Sequence, residues 1–242
     1  MKTGIAISTY FCDKTPPERL EIFKRSLESL FFTGYEGVVV IVDDGSTCYE
    51  HLRLLLGISQ GHRINLIDRP HGGIARAKNT CIKALLDEGV DVGFLADDDI
   101  LYKSGVWHTQ YAEAIKKTGI DHLSYFLEST PCEIRVIDGI RIRQTPSVNG
   151  CFLTFTRKLI EKIGFFKILP NEYGHEHSNF SIRAARLAGQ GGFFDLDGSA
   201  GLLELIPESV VNKSVGPVDP GQFKENERHA IMMGFQYEPL LE

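Results

Sequence analysis

Three adjacent carboxylates, Asp97, Asp98 and Asp99, stand directly after an apolar run of the chain. Like charges at this spacing repel one another, and the repulsion is costly unless a cation or solvent screens it. Hard divalent ions such as Mg²⁺ and Mn²⁺ prefer oxygen ligands, often one or two carboxylates together with substrate phosphates. The cluster is therefore compatible with a metal site, although an acidic turn before a helix near Ser104 is the commoner origin of such a short motif.

A pair of glycines, Gly72 and Gly73, precedes a helical pattern that carries Arg76 and Lys78 in its early turns. Glycines let backbone N–H groups approach a ligand closely, and the positive end of a helix attracts anions. Asp44 follows an earlier apolar run and can accept hydrogen bonds from a base or a ribose. In isolation each feature is more often a turn or a solvated helix face, so its meaning depends on the fold.

The first half of the chain alternates short apolar runs with helical patterns, which predicts an α/β fold with right-handed crossovers and a mostly parallel sheet flanked by helices. Thr15, Pro16 and Glu18 predict a capping box at the start of the first helix. Ligands of such sheets bind beyond the carboxyl ends of the strands, where the polar clusters stand. The predicted strands are Gly4–Ser8, Val38–Val42, Arg63–Ile67 and Val90–Ala96, and the helices that follow two of them are 47–56 and 74–86.

The second half is less regular, and the chain contains no internal repeat or low-complexity linker. A hairpin is predicted over Glu133–Arg143 with its turn at Asp138-Gly139. A strand at Cys151–Thr156 precedes two helices, Arg157–Ile163 and His177–Ala188, and irregular structure is predicted from Asp195 onward. The economical interpretation is one domain with a variable C-terminal segment.

The composition excludes several classes of protein. The net charge is -6 and hydrophobic residues make up 43%, which is typical of a globular domain and gives no strong nucleic-acid signal. The five cysteines are widely spaced without a C-x-x-C motif, so neither a disulfide framework nor a zinc site is expected and a cytoplasmic location is favoured. No apolar run approaches the roughly 20 residues of a transmembrane segment.

Five segments occur in a familiar order and spacing: GIAISTY, VVVIVDDGST, HGGIARAKNTCI, VGFLADDDILY and GHEHSNFSIRAARLAG. Together they resemble glycosyltransferase family 2, over roughly residues 4–195. The resemblance implies a GT-A, Rossmann-like fold and a single domain over residues 1–242. The donor-binding half would lie at about 1–100, and the acceptor-side half with the C-terminal segment at about 101–242. It also implies transfer of a sugar from a nucleotide-sugar donor, usually a UDP-sugar, to a hydroxyl of a glycan, lipid, protein or other acceptor.

The resemblance assigns the donor site position by position. Asp44 falls on the residue that reads the donor base, and Asp98, with Asp99, falls on the acids that hold Mn²⁺ or Mg²⁺. Lys78 stands where the family usually has arginine. The other positions that line the nucleotide are Ser8, Thr9, Tyr10, Asn79 and Asp97. Asp97 directly precedes the two metal acids.

On the acceptor side, Asn149 and Gly150 match positions that line the sugar and acceptor. Glu176 and His177 fall on a Glu-Asp pair whose Asp is the catalytic base of inverting members. Either residue is a candidate base, with Glu176 slightly preferred because an adjacent histidine or a helix start would keep it ionised and oriented. The alternative is that His177 binds metal or phosphate while Glu176 orients the sugar.

Three departures from the family pattern bear on activity. Ala96 replaces the first acid of the metal signature, and His177 replaces the usual base. A late histidine that often completes the metal shell is not evident; Asn212 stands near its place, and His229 is a distant candidate. Two other functions therefore stay open, a nucleotidyltransferase that forms sugar nucleotides and an inactive protein that only binds them.

Overall fold

The computed structural model describes residues 1–126, 129–171, 174–210 and 220–240. Strands and helices alternate through the first half, as the sequence predicts. The strands are β1 (Thr3–Thr9), β2 (Val38–Asp43), β3 (Asn65–Asp68), β4 (Val92–Ala96), β5 (Ile100–Tyr102), β6 (Glu133–Ile137), β7 (Ile140–Thr145), β8 (Phe152–Thr156), β9 (Phe193–Leu196) and β10 (Leu203–Leu205). The helices are α1 (Glu18–Phe32), α2 (Tyr49–Gly61), α3 (Ile74–Asp87), α4 (Trp107–Thr118), α5 (Arg157–Ile163), α6 (Glu176–Arg186) and α7 (Pro220–Met232).

The central sheet has the strand order β3-β2-β1-β4-β8. The first four strands run parallel, and β8 pairs antiparallel with β4. This arrangement confirms the predicted α/β class with a mostly parallel sheet. Because β1, β2 and β4 are neighbours and parallel, their carboxyl ends meet at one edge and bring the polar residues that follow them together.

The core lies on both faces of the sheet, as expected for a parallel sheet covered by helices. Alternate residues of one strand enter different apolar clusters: Ile5 and Ile7 of β1 pack with Trp107, whereas Ala6 packs on the opposite face with Phe166. Trp107 and Phe166 are fully buried, so both aromatic side chains pack in the core.

The predicted capping box at the first helix is wrong. Helix α1 begins at Glu18, and the preceding Pro17 makes no side-chain capping bond. The Thr15 hydroxyl instead accepts a hydrogen bond from the backbone N–H of Cys12 at 3.0 Å. A local turn thus uses the threonine, because short polar side chains bond to neighbouring backbone as readily as to a helix end.

The hairpin of β6 and β7 confirms the predicted turn, where Asp138 and Gly139 both have positive φ. The prediction of irregular structure after residue 195 is wrong in part. Strand β9 pairs with β7, β10 pairs with β5, and α7 begins at Pro220. The two strands have few residues each, so they carry no readable periodicity.

All five cysteines are free thiols. Within the described ranges, no helix combines the length and the apolar composition needed to cross a bilayer.

The position of β4 depends on a close approach at Gly93, which pairs with Phe155 of β8. A Cβ at Gly93 would lie 2.2 Å from Cζ of Phe155, so we expect Gly93→Ala to lower the free energy of unfolding by about 1–3 kcal/mol through overpacking. Urea denaturation measures this loss.

Gly57→Ala is the matched control, because a Cβ at Gly57 in α2 meets no atom within 4 Å. It should raise stability by about 0.5–1 kcal/mol, as alanine usually does in a helix. Equal stability of the two variants would contradict the described pairing of β4 with β8.

Candidate active site

The loop between β3 and α3 is fastened to the end of β2 by Asp44. One oxygen of this buried carboxylate accepts hydrogen bonds from the backbone N–H groups of Gly72 and Gly73, at 3.2 and 2.9 Å. The carboxylate also pairs with the Arg69 guanidinium, and Nδ1 of His71 lies 2.9 Å from it. Asp44 therefore fixes the glycine loop at the start of α3, a contact that the sequence did not predict.

Two guanidinium groups flank the glycine loop. A Cβ at Gly72 would lie 2.7 Å from Nη2 of Arg69 and 2.8 Å from Cδ of Arg76. Burial and the neighbouring charge of Arg76 lower the pKa of Arg69. Two mutually repelling cations at the positive end of a helix form a place where an anion is stabilised.

The exit of β1 lies against the same loop. The Tyr10 ring stacks on the His71 ring, with centroids 4.2 Å apart and an angle of 24° between the planes. The Thr9 hydroxyl donates to Oδ2 of Asp98 at 3.1 Å, and Ser8 is partly exposed at the end of the strand. The structure thus brings together the ends of β1, β2 and β4, as their parallel order requires.

The acidic cluster contains an internal cation that the sequence analysis missed. Arg19 of α1 is only 3% exposed; its guanidinium pairs with Asp98 and lies 3.2 Å from Oδ2 of Asp99. Burial raises the pKa of Asp98. Burial, together with the charges of Asp98 and Asp97, raises the pKa of Asp99 to about 6. Arg19 stands in no recognisable motif, so no sequence signal could have identified it.

These contacts decide how the cluster can hold a metal. Both oxygens of Asp98 are engaged, one by Arg19 and the other by Thr9. Asp97 is the most open member, with 31% of its side chain exposed. No group of three or more His, Cys, Asp or Glu residues in the described part of the chain could hold a metal ion. The arrangement therefore fits an ion that takes one carboxylate and obtains its other ligands from substrate phosphates and water.

Of the two late metal-shell candidates, Asn212 lies outside the described residues. Nδ1 of His229 lies 3.0 Å from the backbone carbonyl of Glu225 on its own helix, α7. We therefore do not assign His229 to the acidic cluster.

Lys78 lies at the centre of the site and is 1% exposed. Its Nζ lies 3.0 Å from Oδ1 of Asp97 and donates to the backbone carbonyl of Gly150 at 2.9 Å. Burial disfavours the ammonium charge, but the charges of Asp97 and Glu176 outweigh it and raise the pKa of Lys78. One buried cation thus links the end of β4 to the segment before β8 and to the start of α6.

Asn149 and Gly150 lie beside this lysine. The Asn149 side chain accepts a hydrogen bond from the Cys151 backbone N–H at 3.2 Å. A Cβ at Gly150 would lie 2.6 Å from Cγ of His177, so the imidazole packs directly on the backbone. Asn79 faces elsewhere: its amide donates to the Phe166 carbonyl at 2.9 Å and accepts from the Phe166 N–H at 2.7 Å.

Glu176 and His177 form a hydrogen-bonded pair at the start of α6. Oε1 of Glu176 lies 3.2 Å from Nδ1 of His177, and Oε2 accepts from the Gly174 N–H at 3.1 Å. Burial would raise the pKa of Glu176, but the bond and charge of His177 and the charge of Lys78 outweigh it and lower the pKa to about 2. Glu176 is therefore an ionised group with both oxygens engaged, while 24% of the His177 side chain is exposed.

A cavity of about 260 Å³ opens between the start of α3 and the segment that precedes α6. Glu176 contributes to its wall, so the glycine loop and Glu176 share one cavity. The other lining residues are Gly72, Ala75, Arg76, Ile168, Leu169, Pro170 and Asn171.

Comparison with known proteins identifies similar chains. The family model described as Glycosyl transferase family 2 matches residues 5–183. An uncharacterized glycosyltransferase of Acanthamoeba polyphaga mimivirus is 40% identical over 220 residues, which cover 89% of this chain and 85% of the viral protein.

Solved structures show a similar fold at low identity. S. aureus TarS aligns with a TM-score of 0.62 at 17% identity over 96% of this chain, which corresponds to 39% of TarS. TarS 1–349 in complex with UDP aligns with a TM-score of 0.62 at 16% identity, over 96% of this chain and 65% of the TarS 1–349 chain. A mannosyltransferase from Pyrobaculum calidifontis, in complex with GDP-Man and Mn²⁺, aligns with a TM-score of 0.60 at 17% identity. The alignment covers 96% of this chain and 69% of the mannosyltransferase.

The pairing of Arg19 with two buried carboxylates predicts a large effect on stability. Arg19→Met removes the cation and leaves Asp98 and Asp99 without it, so we expect a loss of about 3–5 kcal/mol in the free energy of unfolding. Arg25→Met on the same helix is the control, because Arg25 forms an exposed pair with Glu208 at 3.5 Å. Chemical denaturation of both variants measures the difference.

The added substitution Asp98→Asn should recover part of the loss in the Arg19→Met background, since it removes one uncompensated charge. The account of the acidic cluster is wrong if Arg19→Met and Arg25→Met are equally stable.

Proposed function

The chain belongs to glycosyltransferase family 2, and from that premise we propose that it transfers a sugar from a nucleoside-diphosphate sugar, preferably a UDP-sugar, to an acceptor hydroxyl. The observation that carries the proposal is the position of Lys78. Its ammonium group contacts Asp97 and the Gly150 carbonyl, and its charge acts on Glu176. Lys78 thereby connects a candidate donor residue at the end of β4 with the candidate base pair at the start of α6, where Glu176 lines the cavity.

The donor diphosphate is proposed to lie at the start of α3. Arg69 and Arg76 flank Gly72 there, and the helix end adds its own partial positive charge. A diphosphate would add negative charge beside Arg76, whereas Arg69 is already paired with Asp44. The nucleoside would then lie toward Ser8, Thr9 and Tyr10, with Asp44 reading the base or holding the loop that does so.

We propose that Asp97 is the carboxylate closest to a bound Mn²⁺ or Mg²⁺, in place of the predicted Asp98 and Asp99. The support is geometric, because Arg19 pairs with both of those residues while Asp97 is partly exposed. Complexes of two neighbours with UDP or with GDP-Man and Mn²⁺ are consistent with this class of donor. When bound, the ion would offset the negative charge that develops on the departing diphosphate.

The protein's own residues supply the rest of the chemistry. Arg69, Arg76 and the backbone N–H groups at the start of α3 would stabilise the leaving diphosphate. An acceptor hydroxyl in the cavity would attack the anomeric carbon as a base removes its proton, and inversion in a single displacement is the outcome expected from the family resemblance. The charge of Lys78 would help to keep Glu176 ionised.

For the base, the geometry favours His177 over Glu176, the reverse of the slight preference from the sequence. A bond from Nδ1–H of His177 to Oε1 of Glu176 would leave Nε2 as the acceptor of a proton, the arrangement in which a carboxylate orients an imidazole. Glu176 has both oxygens engaged and a pKa of about 2, which makes it a weak base. We propose that His177 takes the proton and Glu176 orients it.

The donor and the metal are tested in one experiment. We expect the protein to release nucleoside diphosphate faster from UDP-sugars than from GDP- or TDP-sugars. We also expect the release of UDP to rise when Mn²⁺ is added. Asp97→Asn should weaken Mn²⁺-dependent UDP binding at least about tenfold, near 1.4 kcal/mol, and weaken metal-free UDP binding much less, because its amide oxygen can still accept from Lys78. Calorimetry measures both affinities.

Two results would count against the proposal. Donor binding without any turnover would favour the inactive binding protein. Full activity in EDTA, or an unchanged effect of Mn²⁺ in Asp97→Asn, would remove the role assigned to the metal and to Asp97.

The base is tested by substitution and by pH. His177→Asn should retain UDP affinity and lose about a hundredfold or more in rate, the usual range for a missing base, whereas Glu176→Gln should lose less. Glu176 as the base would keep the rate flat through mildly acidic pH, because its pKa is lowered to about 2. A rate that is flat from neutral to mildly acidic pH, with normal turnover in His177→Asn, contradicts the assignment of the base to His177.

A further inference from the structure

The backbone directly before Glu176 is strained. Gly174 has a φ of +101° and His175 a φ of +64°, so two consecutive residues occupy the left-handed region. A non-glycine residue there costs free energy and persists only when its surroundings hold it. The Gly174 N–H is also the donor to Oε2 of Glu176, so this strained backbone fixes one carboxylate oxygen.

Helix α7 supplies the restraint through Asn226, whose side chain is fully buried. The Asn226 amide donates to the backbone carbonyls of Asn171 and Gly174, both at 3.0 Å. Its oxygen accepts from the Asn171 N–H at 3.1 Å. One side chain therefore binds the backbone at Asn171 and at Gly174, ahead of Glu176.

A second contact comes from Phe223, one turn earlier on α7. Its ring centroid lies 4.3 Å from that of His175. A Cβ at Gly174 would lie 2.8 Å from Cδ2 of Phe223, so the ring packs on the strained backbone itself. Farther along, the Asn179 amide of α6 donates to the Ala230 carbonyl at 3.0 Å, which joins the two helices beyond the turn.

We propose that Asn226 is a positioning residue for sugar transfer, and that α7 clamps the turn at Gly174 and His175 so that Glu176 stays aimed at His177. The helix lies beyond residue 183, where the match to the family ends. The C-terminal segment therefore completes the catalytic side of the cavity, whose wall includes Asn171. The expected effect of Asn226 on the rate of sugar transfer rests on the proposed function. The expected effect of Asn226 on the backbone of the turn does not.

The clamp predicts a loss of rate without a loss of donor affinity. Asn226→Ala should lower kcat about tenfold or more, because the Glu176–His177 pair loses its fixed geometry. The UDP dissociation constant and the donor KM should stay within about twofold, since the proposed donor contacts lie on α3 and β1. Hydrogen exchange at the Gly174 amide, measured by NMR, should accelerate at least about tenfold.

Lys224→Ala on the exposed face of α7 is the matched control, and it should leave rate and exchange unchanged. Phe223→Leu is a second test variant that removes the ring contact without exposing a buried polar group, in case Asn226→Ala does not fold. We expect it to accelerate exchange at Gly174 and to lower kcat, each by less than Asn226→Ala.

The outcomes separate the clamp from the proposed function. Faster exchange at Gly174 with an unchanged kcat overturns the positioning role. Unchanged exchange in both Asn226→Ala and Phe223→Leu overturns the clamp. If the wild-type protein turns over no donor, the proposed function fails, and the exchange measurement alone decides whether α7 holds the turn.

Discussion

The rest of the site depends on the buried ammonium group of Lys78. An isolated cation in the interior is strongly unfavourable, so its surroundings must supply negative charge and hydrogen-bond acceptors. Asp97, the Gly150 carbonyl and the field of Glu176 provide them. Because these groups come from the end of β4, from the segment before β8 and from α6, satisfying one lysine brings three separate parts of the chain together.

Two of the three carboxylates in the acidic cluster are compensated inside the protein, and the third is partly exposed. Arg19 compensates the carboxylates of Asp98 and Asp99 inside the protein, and Asp97 remains partly open. The replacement of an acid by Ala96 fits this division, since a fourth carboxylate would lack a cation among these contacts. In the same arrangement Asp98, which the resemblance places on the metal, is turned toward Arg19 and Thr9. The proposed metal would therefore depend on phosphate ligands.

The sequence predicted the parallel sheet and the meeting of its polar strand ends, because long apolar runs and helical periodicity are local properties. The family resemblance assigned Lys78, Gly150 and His177 to the site, but it did not predict that Lys78 donates to the Gly150 carbonyl. Arg19 and Asn226 could not be predicted, since each is buried by contacts with residues far away in sequence. The role of Asn79 also depends on tertiary context, because the amide holds the backbone of Phe166. Whether it contacts a nucleotide stays a prediction.

A crystal structure with UDP and Mn²⁺, with the ion located by its anomalous signal, tests the central claim most directly. The account predicts the ion between the diphosphate and Asp97, with Lys78 still on the Gly150 carbonyl and Arg19 still on Asp98 and Asp99. An ion bound by Asp98 with Arg19 displaced, or a diphosphate away from the start of α3, would contradict it.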